Sequence, residues 1–333
     1  MTPLALPLTA LDRARAGTLR LLGPLGRPLL ADRELRVAVY GVSGAAVALC
    51  LTVLFPLQLL VVGPLLLGVP HLLADARYLV AKPGLHRRAA FWALCAAPAC
   101  AAWIWPHASL GFAAVLGAAL AARASEAKRA IAAILAAALI AVCTFYGPLA
   151  DVVMAHAHNV IAVALFAVWA RRRTSMHWAP LAAFAIGSAL LFGGAFDRHA
   201  YHALGRGFVD PSSLLSSVAP VRGAAWSTRL LLFFAFAQSM HYGVWLRLVP
   251  EQDRERPGMR SFTSSLRALV RDLGKPLVAA GALVALALLL WSVRSLEAAR
   301  LGYLRLALFH GPLELGAATL LLLEGRLPKP ASQ

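Results

Sequence analysis

The sequence predicts an all-α fold, a polytopic helical bundle of about ten transmembrane helices with both termini in the cytoplasm. Three observations predict it. Hydrophobic residues make up 60% of the 333-residue chain and charged residues only 14%, against about 25% charged in a soluble domain. The apolar residues fall into runs close to the ~20 residues that cross a bilayer. Arg and Lys concentrate in alternate connections between those runs, as they do in cytoplasmic loops. A soluble protein with buried helices would need long polar faces, and these are missing.

Residues 1–35 alternate leucine with arginine, as in Leu11, Arg13, Arg15, Leu19, Arg20, Leu21, Leu22 and Arg27. That pattern predicts a basic segment lying on the cytoplasmic surface, interrupted at Pro24 and Pro28. No cleavable signal peptide is expected, because the first long apolar run begins only near Val37. A single transmembrane domain is expected over 36–323, followed by a short cytoplasmic tail, 324–333.

The first span covers 36–55, and Pro56 turns the chain into a second over 57–80. After the basic loop with Lys82, Arg87 and Arg88 come a third span, 89–105, and a short fourth, 110–122, separated by Pro106-His107. The fifth, 130–146, follows Arg123, Lys128 and Arg129 and ends at Gly147-Pro148. The sixth, 149–170, ends at Arg171-Arg172-Arg173, and the seventh covers 178–196. A polar connection, 197–226, leads to the eighth span, 228–249. The charged loop 250–275 precedes the ninth, 276–293, and the tenth, 301–323. A re-entrant fourth segment would reduce the count to eight or nine.

The net charge of +17 would point to nucleic acid in a soluble chain. Here the arginines sit in short segments between apolar runs, so the bilayer is the expected partner and nucleic acid is not. Cys50, Cys95, Cys100 and Cys143 lie in apolar stretches without CxxC spacing and read as small apolar residues.

Four even-numbered spans interrupt their apolar runs with ionisable groups: Gly68 to Tyr78 with His71 and Asp75, His156-Ala157-His158-Asn159, Gln238 with His241, and His310 with Glu314. Ionisable groups inside a membrane are expensive and mark function by default. All four spans run inward, so their histidines can face one cavity. Depth differences between them come to roughly 10 Å at a rise of ~1.5 Å per residue, within reach of tilt. His71 and Asp75 share a helical face, as do His310 and Glu314. Asp75 either orients or joins His71 as a ligand, or pairs with Arg77 near the interface. His156 and His158 lie about 200° apart around a helix, so the spacing leaves open which one faces the site, with His158 preferred. Gln238 is placed to orient the His241 ring or a water. His86, His107, His177, His199 and His202 fall at span ends or in the outer connection and read as interfacial or solvated.

Imidazoles with one or two carboxylates suit iron, copper or zinc. The metal ligands expected are His71, His241, His310 and one of His156 and His158. Asp75, Glu314 and Gln238 are the candidate catalytic or orienting groups. No HExxH, GxSxG or Walker motif is present, so protease, hydrolase and nucleotide chemistry of those kinds lack support. Two alternatives remain: haem b held by two facing histidines for electron transfer, and a cation- or proton-coupled transporter.

Pro70-His71-Leu72-Leu73-Ala74-Asp75 resembles the Pro-His-x3-Asp signature of the bacterial Brp/Blh family of β-carotene oxygenases. Phe309-His310 is similar to that family's late histidine, and 238–247 lies where the family carries a His-rich, Arg-containing span. Leu72 stands where the family favours glycine, and 155–159 departs from its second motif. The resemblance implies a polytopic protein of the bacterial inner (cytoplasmic) membrane. It further implies one or two Fe2+ ions and oxidation of a lipophilic substrate such as a carotenoid or lipid.

Overall fold

A computed structural model describes residues 5–169, 174–205, 211–220, 223–254 and 257–327. Ala170 and the Arg171-Arg172-Arg173 run expected to close the sixth span lie outside these, as do 1–4 and 328–333 of the expected termini. Helix dominates the described residues, with no strand among them.

The principal helices are α1 (Arg33–Leu54), α2 (Pro56–Asp75), α3 (Ala89–Ala101), α4 (Ala108–Ala121), α5 (Glu126–Tyr146) and α6 (Pro148–Val168). They continue with α7 (Ala179–Phe192), α8 (Ala224–Gly243), α9 (Lys275–Arg294), α10 (Leu296–Ala307) and α11 (His310–Leu323). Among the described residues, seven helical stretches are long and apolar enough to cross a membrane: α1, α2 with its extension to Ala81, α5, α6, α7 with the turn before it, α9, and α10 with α11. The predicted third and fourth spans form shorter apolar helices.

Local chemistry sets the boundaries. The Asp32 carboxylate caps α1, accepting from the Glu34 and Leu35 amides at 2.8 and 3.1 Å. Pro56 and Pro148 occupy the first turns of α2 and α6, where a missing N–H leaves no bond unmade. Gly147 turns the chain between α5 and α6 at a φ of 51°, a left-handed value suited to glycine. The basic N-terminal segment is helical over Ala5–Leu21 and Gly26–Ala31, and the break falls at Pro24 alone. Pro28 sits in the first turn of its helix, where proline is tolerated.

The predicted tenth span is two helices. Pro312 lacks the N–H that a continuous helix would send to Leu308, and the chain turns at Leu308 and Phe309. This break lies beside the histidine cluster.

α8 is the central helix, packed against α1, α2, α6 and α7. It is long enough to span a membrane yet carries Arg229, Gln238 and His241, and it is not among the seven apolar stretches. A helix wrapped in protein need not be apolar all round. By contrast, only 6% of the apolar window of α9 and 11% of that of α5 is buried. Those two helices form the outward apolar surface.

Small residues let the helices approach closely, as membrane packing favours. A Cβ added at Gly117 of α4 would lie 1.8 Å from the Leu94 carbonyl of α3, and one at Gly41 of α1 would lie 2.3 Å from Pro180.

Candidate metal centre

Four helices bring one histidine each to a common point. α2 supplies His71, α6 His158, α8 His241 and α11 His310, and α2 and α11 add Asp75 and Glu314 one turn further on. The ring centroids of His158 lie 4.6 Å from His310 and 4.7 Å from His241. Those of His71 lie 4.9 Å from His310 and 5.2 Å from His241. His71, His241 and Glu314 are 1% exposed and Asp75 5%, while His158 and His310 are half-buried and face a cavity.

The break between α10 and α11 sets the chemistry of His310. Its Nδ1 lies 2.6 Å from the Ala307 carbonyl, so Nδ1 carries the proton and donates there. Nε2 then holds a lone pair, and it faces Nε2 of His158 at 2.9 Å. Adjacent ligands on one ion, each bound at ~2.1 Å and near a right angle, stand about 3 Å apart.

Around this pair the polar atoms are unmet. His71 Nε2, His158 Nδ1, both nitrogens of His241 and all four carboxylate oxygens of Asp75 and Glu314 are buried with no hydrogen-bond partner among the described residues. Glu314 Oε2 lies 3.6 Å from His158 Nδ1, and Asp75 Oδ2 lies 3.8 Å from His71 Nε2. Each unmatched buried group costs about 1–3 kcal/mol, more when charged, unless something else satisfies it. Two sets of four each have ligand atoms within 4.8 Å of one another: His71, Asp75, His241, His310, and His158, His241, His310, Glu314. The sets share His241 and His310 and end in a carboxylate on either side. Such groups could hold a metal ion.

Asp75 does not pair with Arg77, whose guanidinium bonds Asp272 at 2.8 Å. His156 stands apart from both sets. Its Nε2 donates to the Val218 carbonyl at 2.6 Å, and its ring stacks on Phe233. Gln238 lines the cavity beside the cluster. His86, His199 and His202 are exposed, and His107 caps α4 through the Ser109 amide. His177 differs from the expectation of a solvated ring. It is fully buried, with Nε2 3.2 Å from the Ala167 carbonyl and Nδ1 3.3 Å from the Gln252 amide. It ties the ends of α6 and α7 to the segment after α8.

Three residues of the site carry no histidine or acid signal and were not singled out from sequence. The Tyr303 hydroxyl lies 3.5 Å from His71 Nδ1. Tyr242 packs its ring 4.8 Å from that of His71. Arg300, 9% exposed, donates from Nε to the Leu60 carbonyl at 3.1 Å. The available signal was the spacing of Ala299, Arg300, Tyr303 and Ala307 along one buried face of α10. Gly68 belongs to the same packing, since a Cβ there would lie 2.3 Å from the Tyr303 ring.

A cavity of about 390 Å³ reaches the cluster, lined in part by His71, His158, His241, His310, Tyr242 and Tyr303. Compared with protein-family models, curated proteins and solved structures, the chain matches none.

Proposed function

We propose that this protein is an integral membrane metalloenzyme of about ten spans, with both termini cytoplasmic, that uses iron(II) to oxidise a lipophilic substrate. The supporting observation is the 2.9 Å approach of His158 and His310 within a buried shell of His71, His241, Asp75 and Glu314 whose polar atoms lack partners. Imidazole and carboxylate donors with open positions suit non-haem iron, which supplies the activation of dioxygen.

His71, His158, His241 and His310 hold the ion, and Asp75 and Glu314 orient the rings or complete the ligand set. The Ala307 carbonyl fixes the tautomer of His310, and the Tyr303 hydroxyl steadies His71 through Nδ1. The cavity admits a substrate with apolar surface against Phe234, Met154 and Leu315, and a bound substrate would displace water from it. The convergence of four imidazoles and two carboxylates favours this reading over haem, which two histidines would hold.

The test is metal analysis and an absorption spectrum of detergent-purified protein, wild type beside His310→Ala. One or two equivalents of iron without a Soret band, lost in the variant, are expected. A Soret band would replace this reading with haem binding. Folded wild-type protein holding neither metal nor haem would sink it and leave a transporter.

A further inference from the structure

The cavity that reaches the histidines has a charged end. Arg300 lines it, nine-tenths buried, and its Nε is used by the Leu60 carbonyl. No ion pair joins Arg300 to a described acid. Glu297, one turn earlier on α10, is exposed and acts on it only at a distance. Asp151 also lines the cavity, but its Oδ1 is engaged, accepting the Ala108 amide at the start of α4 at 2.7 Å. A guanidinium held in a low-dielectric wall with no carboxylate in contact is costly, and long basic side chains near helix ends normally extend to water instead. Arg300 is anchored to α2 and kept inside.

The rest of the cavity runs away from this charge. Leu60 and His71 lie on the same helix, and at ~1.5 Å per residue the histidine is roughly 16 Å further along its axis. Arg300 likewise precedes His310 in sequence, on α10, with the turn at Leu308 and Phe309 between them. The lining also includes Phe234, Met154, Leu304, Leu308 and Leu315, with Tyr242 and Tyr303. The space is therefore mostly apolar, with the Arg300 guanidinium on its wall some way from the proposed metal and the Asp151 carboxylate also facing it.

We propose that this cavity binds a long-chain carboxylate, with Arg300 anchoring its headgroup and the chain reaching past Tyr303 to the histidines. Arg300 suits this work because its planar fork meets a carboxylate with two parallel hydrogen bonds. The inference deepens the oxygenase reading by naming the class of substrate. It excludes a pure hydrocarbon as the best ligand, since that would leave the guanidinium unmatched. Arg300 is a positioning residue: it sets which part of the chain lies at the metal and takes no part in the chemistry there.

Native mass spectrometry of the full-length protein, metal-loaded and metal-stripped, tests this with palmitate, methyl palmitate and octanoate. The wild type is expected to retain one palmitate, and at least tenfold less of the uncharged ester and of the short acid. Arg300→Gln should lower palmitate retention at least tenfold, leave the ester unchanged and keep its metal. Arg300→Lys, which restores the charge without the fork, should recover part of the loss. Equal retention of palmitate and its ester, or of palmitate by wild type and Arg300→Gln, overturns the inference. Arg300-dependent palmitate binding in a protein that takes up no metal would sink the oxygenase reading and leave the headgroup site standing. Metal binding with Arg300-independent palmitate would do the reverse. An Arg300→Gln variant that fails to fold, beside a folded Arg300→Lys variant with wild-type selectivity for palmitate over its ester, still supports the headgroup site. The same pair without that selectivity overturns it.

Discussion

Nε2 of His158 and Nε2 of His310 come within 2.9 Å of each other across 152 positions of sequence. Two imidazole nitrogens at that separation share one proton or one cation. With Nδ1 of His310 already donating to Ala307, the His310 lone pair is fixed in the approach. His158→Ala and His310→Ala are each expected to lower bound metal at least tenfold. His156→Ala should leave metal content within twofold, because its ring is spent on the Val218 carbonyl. Equal loss from all three variants would show that fold, not ligation, is being measured.

The carboxylates make a second test. Removing a group that orients or completes a metal site typically costs about 10–100-fold in affinity. Glu314→Gln and Asp75→Asn keep the shape and remove the charge, and each is expected to weaken metal binding in that range without loss of folded yield. Titration with a competing chelator reads the change. Loading should also weaken with acid, because histidine ligands must be neutral to bind.

In the first turn of α1, Arg36 is fully buried and bonds Glu251 at 2.7 Å, and it also donates to the Leu29 and Leu30 carbonyls at 2.8 and 3.0 Å. Breaking a buried pair costs up to about 3–5 kcal/mol, and here Arg254, 3.3 Å from the same Glu251 oxygen, offsets part of the loss. Arg36→Met should therefore lower the unfolding temperature sharply. Arg36→Met with Glu251→Gln should lower it less than the single change, as measured by thermal unfolding in detergent.

Glu324, just past the end of α11, gathers Arg88 at 2.7 Å, Arg326 at 3.2 Å and the Arg123 amide at 2.9 Å. Burial alone would raise its pKa. The hydrogen bonds from Arg88, Arg123 and Arg326 outweigh that and hold it at about 2, below the usual 4.5. A carboxyl depressed on folding adds stability above its unfolded pKa and loses it as pH falls toward the folded one. The contribution is thus complete near neutrality and fades between about pH 4.5 and about pH 2. Glu324→Gln should flatten the acid limb of the unfolding-temperature profile and destabilise the protein at pH 7. An unchanged acid limb would show that this cluster is not what links the helix ends.

The helices were legible because membrane crossing leaves a coarse signal, a run of apolar residues, which survives even where α3 and α4 are short. His71, His241 and His310 were legible for a related reason: a histidine inside such a run stands out against its cost. His156 and His158 could not be separated, since their helix can turn either ring inward and the partners that decide, Val218 and His310, lie far off in sequence. Arg300 and Tyr303 were missed because an arginine near a span end reads as interfacial, and only the approach of α2 carries it into the wall. His177 was misread on the same ground. Arg36 and Glu251 are 215 positions apart, and nothing in either neighbourhood announces the other.

Three of the helical paths contain wide turns, with bonds five residues apart: Ala76–Ala81 after Asp75, Trp92–Ala96 within α3, and Val244–Leu248 after His241. Such a turn is a helix with one residue more than its path requires. Losing a residue from an ordinary stretch swings everything beyond it by about 100°. Losing one from Val244–Leu248 restores a regular turn and leaves His241 and Glu251 facing as before. The chain is therefore tolerant of a length change at these places and intolerant a few positions away. A single-residue deletion scan along 230–250 should show that tolerance as a narrow window of folded protein.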